Sequence, residues 1–112
     1  MSDKRANRLA EAERLLGEFS SLRDRADVHV KATGVPSQDP SIATALELRK
    51  IAGDQIETVS QLRGQLSQGN GFLAGFSLWM SQSNLRRCKA LMAKAEAERR
   101  KIISNHEAET GV

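Results

Sequence analysis

The sequence predicts an all-α protein, either a three-helix bundle or a long antiparallel helical hairpin with coiled-coil-like packing. Strong helix formers such as Ala, Leu, Glu and Arg dominate it, whereas aromatic residues make up only 4% of the chain and Tyr is absent. Apolar residues recur at alternating spacings of three and four, the rhythm of an amphipathic helix. No segment carries a strand signal of similar quality. At 112 residues, a single domain is expected.

The first helix is predicted over residues 4–32. Leu15 and Leu22 widen its apolar stripe, which skips one step at Arg23. The stripe consists of Leu9, Ala12, Leu16, Phe19, Ala26 and Val30. His29 is expected on the polar side of this helix near its C-terminus, where the helix dipole favours positive charge. The helix should stop near Thr33 and Gly34, because Gly readily adopts the left-handed conformation of a C-terminal cap.

A linker over residues 33–39, TGVPSQD, is predicted to separate the first two helices. Asp39 is a candidate N-cap for the second helix, and Pro40 suits a first helical position because its missing N–H is not needed there. The second helix is predicted over residues 40–67. Its stripe consists of Ile42, Ala45, Leu48, Ala52, Ile56, Val59, Leu62 and Leu66.

The third helix is predicted over residues 71–105, after the turn SQGNG. Ser81 and Arg99 occupy positions of its heptad seam where apolar residues are expected. The seam consists of Leu78, Leu85, Cys88, Met92, Ala95 and Ile102. The tail over residues 106–112 should fray. Narrow stripes of this kind also leave room for a homo-oligomer.

The stretch GNGFLAGFSLWM, residues 69–80, holds two of the three Phe residues and the only Trp. Phe72, Phe76, Trp79 and Met80 fall on one side of a helix. Three interpretations stay open: a plug of the core, a docking site for a protein partner, or a helix on a membrane surface. In the docking interpretation, Arg86 and Arg87 supply a charged rim, as at many binding hot spots.

A basic set follows the aromatic stretch. No acidic residue occurs between Thr58 and Ala95, and the net charge of the chain is +3. The set is compatible with a solvated helix face, an acidic protein partner or a phosphate backbone. Its members are Arg86, Arg87, Lys89, Lys94, Arg99, Arg100 and Lys101.

Motifs that carry chemistry are missing from the sequence. It has no phosphate-binding glycine loop, no histidine pair with metal-ligand spacing, and one cysteine, Cys88, on the apolar seam. We therefore expect no catalytic activity, no metal and no cofactor. The lone cysteine, the absence of a signal-peptide pattern and the lack of an apolar run of membrane-spanning length predict a cytoplasmic protein.

The segment GNGFLAGFSLWMSQSNLRRCKALMAKAEAERRKI, residues 69–102, resembles the flagellar and type III secretion export-chaperone family, the stalk-like FliJ/YscO group. The resemblance lies in a helical hairpin with an aromatic start to its second arm and a basic continuation rich in Ala and Glu. It implies an antiparallel coiled coil that binds the export ATPase and contacts the export gate. Phe72, Phe76 and Met80 are the gate-contacting candidates that it implies.

The sequence thus favours a helical adaptor or chaperone for protein partners, with its site at Phe72–Met80 beside Arg86 and Arg87. Two alternatives stay open. One is a small basic nucleic-acid-associated protein of plasmid or phage origin that acts through the third helix. The other is an oligomeric phage structural or assembly component.

Overall fold

Three helices pack side by side along their lengths in the computed structural model, which describes residues 2–32, 39–69, 71 and 73–109. They are α1 (Ser2–Lys31), α2 (Ser41–Ser67) and α3 (Ala74–Glu109). The molecule measures 66 × 17 × 15 Å, so it is a slender rod. The predicted all-α class is confirmed, and of the two architectures left open the structure is the three-helix bundle. None of its described helices combines the length and apolar character needed to cross a membrane.

The helices run up, down and up. Arg5 Nε at the start of α1 donates to the Leu66 carbonyl at the end of α2, 2.7 Å away, so these two helices are antiparallel. Lys89 Nζ on α3 lies 3.0 Å from Glu18 Oε1 on α1. Arg8 Nη1 also reaches the Gly71 carbonyl just before α3 at 3.3 Å, and α1 and α3 are therefore parallel.

The core is a single column of small and medium side chains shared by the three helices. From α1 it takes Ala12, Leu15, Phe19, Leu22 and Ala26. These residues alternate at spacings of three and four without a skipped step, so the predicted stripe through Leu16 and Val30 was wrong in register. Leu16 and Val30 are half-buried at the edge of the core.

The α3 seam follows its predicted heptad. Leu78, Leu85, Cys88, Met92 and Ala95 are buried, with Ala74 ahead of them. Ser81 and Arg99 keep the seam positions assigned to them and are buried as well. Ile102 is only half-buried.

The ends of the predicted elements differ in places from the structure. The tail predicted to fray from residue 106 is helical as far as Glu109. At the turn before α3, Gly69 has φ of +84°, which its missing side chain permits, and α3 itself starts at Ala74 rather than at residue 71. Most of the predicted linker, residues 33–38, lies outside the described part of the chain.

The predicted N-cap is present at the start of α2. Asp39 Oδ1 accepts a hydrogen bond from the Ser41 amide at 2.9 Å, and Pro40 has helical backbone angles of −67° and −16°. The same carboxylate oxygen also accepts from the Ser41 hydroxyl. Asp39 therefore supplies an acceptor for one of the free amides at the helix start.

Four polar side chains join the three helices at this end of the rod, and we call them the polar hub: His29, Asp39, Ser41 and Arg99. Arg99 Nε donates to Asp39 Oδ2 at 2.8 Å, and Arg99 Nη1 donates to the His29 carbonyl at 2.7 Å. His29 Nε2 lies 2.7 Å from the Ser41 hydroxyl. The Asp39 side chain is 1% exposed and that of Arg99 is 11% exposed, so the ion pair between them is buried.

His29 corrects a prediction. It is 8% exposed, whereas the sequence placed it on the polar face of α1. The physical reason is the register of α1: three residues beyond Ala26, the next seam position is residue 29. Burial lowers the pKa of His29, and the nearby positive charge of Arg99 lowers it further, against the opposing influence of Asp39 and Glu96.

Removing Arg99 should destabilise the fold strongly, because it leaves the Asp39 carboxylate buried without its counter-ion. We expect Arg99→Met to lower the free energy of unfolding by about 3–5 kcal/mol in urea denaturation. The matched control is Arg87→Met, whose ion pair with Glu47 has side chains 60% and 51% exposed. It should cost less than about 1 kcal/mol. Equal losses from the two variants would contradict a structural role for the hub.

The hub also predicts a pH dependence of stability. Because the pKa of His29 is lower in the folded chain than in the unfolded chain, the unfolded state binds the proton first as pH falls. Stability should therefore decrease below about pH 6.5, by at most about 1.4 kcal/mol per pH unit.

Urea unfolding between pH 7 and pH 5 measures this dependence. His29→Gln should flatten the slope in that window, and the control His106→Gln, at an exposed position, should leave it unchanged. Asp39 acts in a separate, more acidic window. Burial opposes its ionisation, but hydrogen bonds from Ser41 and Arg99 outweigh burial and lower its pKa, so its contribution is lost progressively as pH falls from the usual titration range of Asp towards this lowered pKa. A slope that survives in His29→Gln would contradict the assignment to this residue.

Candidate functional site

The rotation of α3 about its axis decides which of its side chains face solvent. Its seam repeats every seven residues against α1 and α2, so three positions of each heptad point away from the bundle. We call these exposed residues the outward face of α3. They are Leu73, just ahead of the helix, and Phe76, Trp79, Met80, Ser83, Arg86, Arg87, Ala90, Ala93, Lys94, Ala97, Arg100 and Lys101.

The first two turns of the outward face are apolar, and we call Leu73, Phe76, Trp79 and Met80 the apolar patch. Their exposed fractions are 67%, 65%, 61% and 46%. Leu78, in the same stretch, is 2% exposed and belongs to the core. The patch is therefore not a plug of this chain's own core. Phe72, which the sequence grouped with it, lies outside the described residues.

The two aromatic rings of the patch form a pair at the surface. The ring centroids of Phe76 and Trp79 are 6.1 Å apart and the rings are tilted by 31°. Beside Phe76 and Met80, a cleft of about 210 Å³ opens between α2 and α3. Its remaining lining is neutral and polar: Gln55, Thr58, Ser77, Ser81 and Asn84. The patch thus offers two exposed aromatic rings and, beside them, a cleft large enough for one side chain.

The predicted basic set divides into three groups. Arg99 is buried in the polar hub, so its assignment to a nucleic-acid surface was wrong: its guanidinium is used inside the fold. Lys89 lies on the flank of α3 towards α1, where it pairs with Glu18. The other five project from the outward face: Arg86, Arg87, Lys94, Arg100 and Lys101.

The outward face is electrostatically one-sided. From Leu73 to Lys101 it holds these five cations and no acidic residue. The two acidic residues of this part of α3 lie on its flanks: Glu96 pairs with Arg25, and Glu98 accepts a hydrogen bond from Thr44 at 2.9 Å. Arg87 has a single exposed partner, Glu47, at 3.0 Å. The positive charge of this face is thus largely uncompensated in the described part of the chain.

A serine, a histidine and an aspartate meet in the hub, the residue types of a nucleophilic triad. Their geometry does not support that chemistry. Ser41 is fully buried, and its hydroxyl donates to the Asp39 carboxylate, so His29 must donate its Nε2 proton to the Ser41 oxygen. A base must instead accept the hydroxyl proton. The arrangement is a structural hydrogen-bond network.

Cys88 and the acidic residues offer no further site. Burial raises the pKa of the Cys88 thiol, against the weaker opposite influence of Arg87, so the thiol is held neutral inside the core. Within the described ranges, no group of three or more His, Cys, Asp or Glu side chains is placed to hold a metal ion.

A groove of about 760 Å³ also runs between α1 and α3, next to the hub. Its walls include Gly17, Ser20 and Val28 from α1 and Met92 from α3, and the ion pair between Arg25 and Glu96 joins the two walls. Arg99 Nη2 has no hydrogen-bond partner among the described residues and is enclosed by protein. Asp24, His29 and Arg99 also line the groove, so it combines small and apolar side chains with polar and charged ones.

No protein-family model, curated protein or solved structure matches this chain.

Exposed patch residues should contribute little to folding. We expect Trp79→Gln and Met80→Gln each to change the free energy of unfolding by no more than about 1 kcal/mol, because Trp79 is 61% exposed and Met80 is 46% exposed in the folded chain. Leu78→Ala, between them in sequence, should cost about 2–5 kcal/mol because it opens a cavity in the core. Urea denaturation of the three variants measures the contrast. A loss at Trp79 as large as that at Leu78 would place the patch in the core.

Proposed function

We propose that the chain is a non-enzymatic, cytoplasmic helical adaptor that binds another protein through the apolar patch, with Arg86 and Arg87 at its rim. The observation that carries this proposal is the exposure of four large apolar side chains, Leu73 just ahead of α3 and Phe76, Trp79 and Met80 in its first two turns. Single exposed apolar residues are common on soluble proteins, but contiguous groups of them mark interaction sites.

The composition of the patch supports a protein partner. Trp is among the residues most enriched at binding hot spots, and a large aromatic ring buries about 150–250 Å² when it is covered. At about 25 cal/mol per Å², covering the two exposed aromatic side chains provides several kcal/mol of driving force before the costs of association. Arg86 and Arg87 lie seven residues beyond Trp79 and Met80, two turns along the same columns of the helix, where they can contact the polar rim of an interface.

The resemblance to export chaperones suggests a setting for this adaptor. It names the export ATPase and the export gate as partners and Phe76 and Met80, together with Phe72, as gate-contacting residues. The exposure of Phe76 and Met80 is compatible with that role. A homo-oligomer would cover the same patch with a second copy of the chain, so the test must separate the two.

Site-specific photo-cross-linking in the cells that make the protein tests the proposal. A benzoylphenylalanine at position 79 replaces one exposed aromatic side chain with another, and we expect it to give a discrete adduct with a second protein. The control places the same group at Ser60, which is exposed on α2 away from the patch. Ser60 should give no adduct of that mass.

The mass of the adduct discriminates the outcomes. An adduct specific to position 79 that contains a different protein supports the adaptor, and identification of that protein as an export component would support the export setting. An adduct of two copies of this chain would replace the adaptor with a homo-oligomer. Failure to form any specific adduct at position 79 would count against the patch as a docking site.

A further inference from the structure

We infer that the segment bound by this adaptor is an acidic amphipathic helix that lies along the outward face of α3. This inference rests on the proposed function and adds the chemistry and shape of the partner. Its apolar end would cover the patch, and its acidic side chains would meet the five cations beyond it. The inference follows from the order of residues along the face.

The outward face has the shape of a shallow track for a helix. Phe76, Ser83, Ala90 and Ala97 follow one another at intervals of seven residues and form its central column. Beyond the patch, this column contains only small side chains, which allow the backbone of a second helix to approach closely. The distance from Leu73 to Lys101 corresponds to about 42 Å of helix, or four heptads.

Cations border this track on both sides. Arg87, Lys94 and Lys101 form one flanking column, also at intervals of seven residues, and Arg86 and Arg100 belong to the other. In coiled coils, charged residues that flank the contact column select the partner by pairing with opposite charges. A helix seated on the small column would therefore be selected for Glu or Asp on both of its own flanks.

A further positive charge lies beside the apolar patch. Arg8 of α1 lies against the first turn of α3. It is so close to Gly75 that a side-chain Cβ at that position would be only 2.8 Å from Arg8 Nη2. Gly75 is next to Phe76, so a guanidinium borders the apolar patch as well as the track beyond it. Both halves of the surface thus favour a partner that combines apolar anchors with negative charge.

Two other occupants, a second copy of the chain and a nucleic acid, fit the outward face less well. A second copy of the chain would place one acid-free cationic face against another, and like charges in register repel. A phosphate backbone would satisfy the cations but would leave the apolar patch in water. An acidic helix is the occupant that covers the patch and neutralises the track at once.

Two synthetic 28-residue helical peptides test this inference with the full chain. Both carry Leu and Ile on the contacting positions of one end and Ala on those of the other. The first has Glu on the flanking positions and the second has Lys there. Each is made in both chain orders, because the face does not fix the direction of the partner. Binding is followed by the emission of Trp79, the only Trp of the chain.

We expect the better Glu peptide to bind at least about tenfold more tightly than either Lys peptide at about 50 mM salt. The difference should shrink at about 500 mM salt, where exposed charges are screened. The triple variant Arg87→Gln, Lys94→Gln, Lys101→Gln removes three of the five cations and should weaken the preference clearly, with Arg86 and Arg100 still present. A control with the same change in net charge, Lys4→Gln, Arg23→Gln, Lys50→Gln, removes exposed cations from the other two helices and should retain it.

The remaining outcomes overturn the inference. Equal binding of Glu and Lys peptides would show that the face recognises apolar surface without regard to charge, and the adaptor proposal would stand. A preference that is undiminished in the triple variant would place the selecting charge elsewhere. Absence of binding by every peptide, or tighter binding of random-sequence duplex DNA than of the Glu peptide, would reject an acidic helical partner. The cross-linking at position 79 would then decide the proposed function independently.

Discussion

The buried ion pair between Arg99 and Asp39 is the interaction on which the arrangement of the bundle depends. Arg99 occupies a core position of the α3 seam. A guanidinium is tolerated there only if buried acceptors, here a carboxylate and a carbonyl, accept its hydrogen bonds. Asp39 and the His29 carbonyl do so, and they belong to the start of α2 and the end of α1. The pair therefore fixes α3 in rotation and in axial position relative to both other helices. A shift of α3 by one residue would break it and leave two charges buried without partners.

The fixed position of α3 determines which of its side chains are exposed to solvent. With the seam from Ala74 to Arg99 turned inward, the opposite side of α3 must face water, whatever its composition. A rod only 17 × 15 Å across has no second interior in which Phe76, Trp79 and Met80 could be placed. Their exposure is thus a geometric consequence of the inward seam. Exposed aromatic clusters of this kind cost solubility, and this exposure is the observation on which the proposed docking of a partner rests.

The sequence predicted most of α3 and less of α1, for identifiable reasons. In α3 the heptad contains large apolar residues at nearly every seam position, so Leu78, Leu85 and Met92 fixed the register. In α1, apolar residues also occupy neighbouring positions, and the weaker stripe through Leu16 forced a skipped step. The uninterrupted alternation through Leu15 and Leu22 would have led to position 29 and revealed His29 as a buried residue. The hydrogen-bond partners in the polar hub depend on how the ends of the three helices pack together. The periodicity of apolar residues does not predict that packing.

The candidate site was predictable in its residues but not in its role. The sequence grouped Phe76, Trp79 and Met80 on one side of a helix, yet a plug and a docking face share that pattern. Only the packing of α3 against α1 and α2 distinguishes a buried plug from an exposed face. Trp79 gives the most direct measurement, because the chain has no Tyr and no other Trp, so all of its long-wavelength emission comes from this residue. In the isolated monomer, with its mass checked by light scattering, emission should resemble that of tryptophan in water and be quenched efficiently by acrylamide. Blue-shifted emission that resists quenching in the monomer would contradict the account.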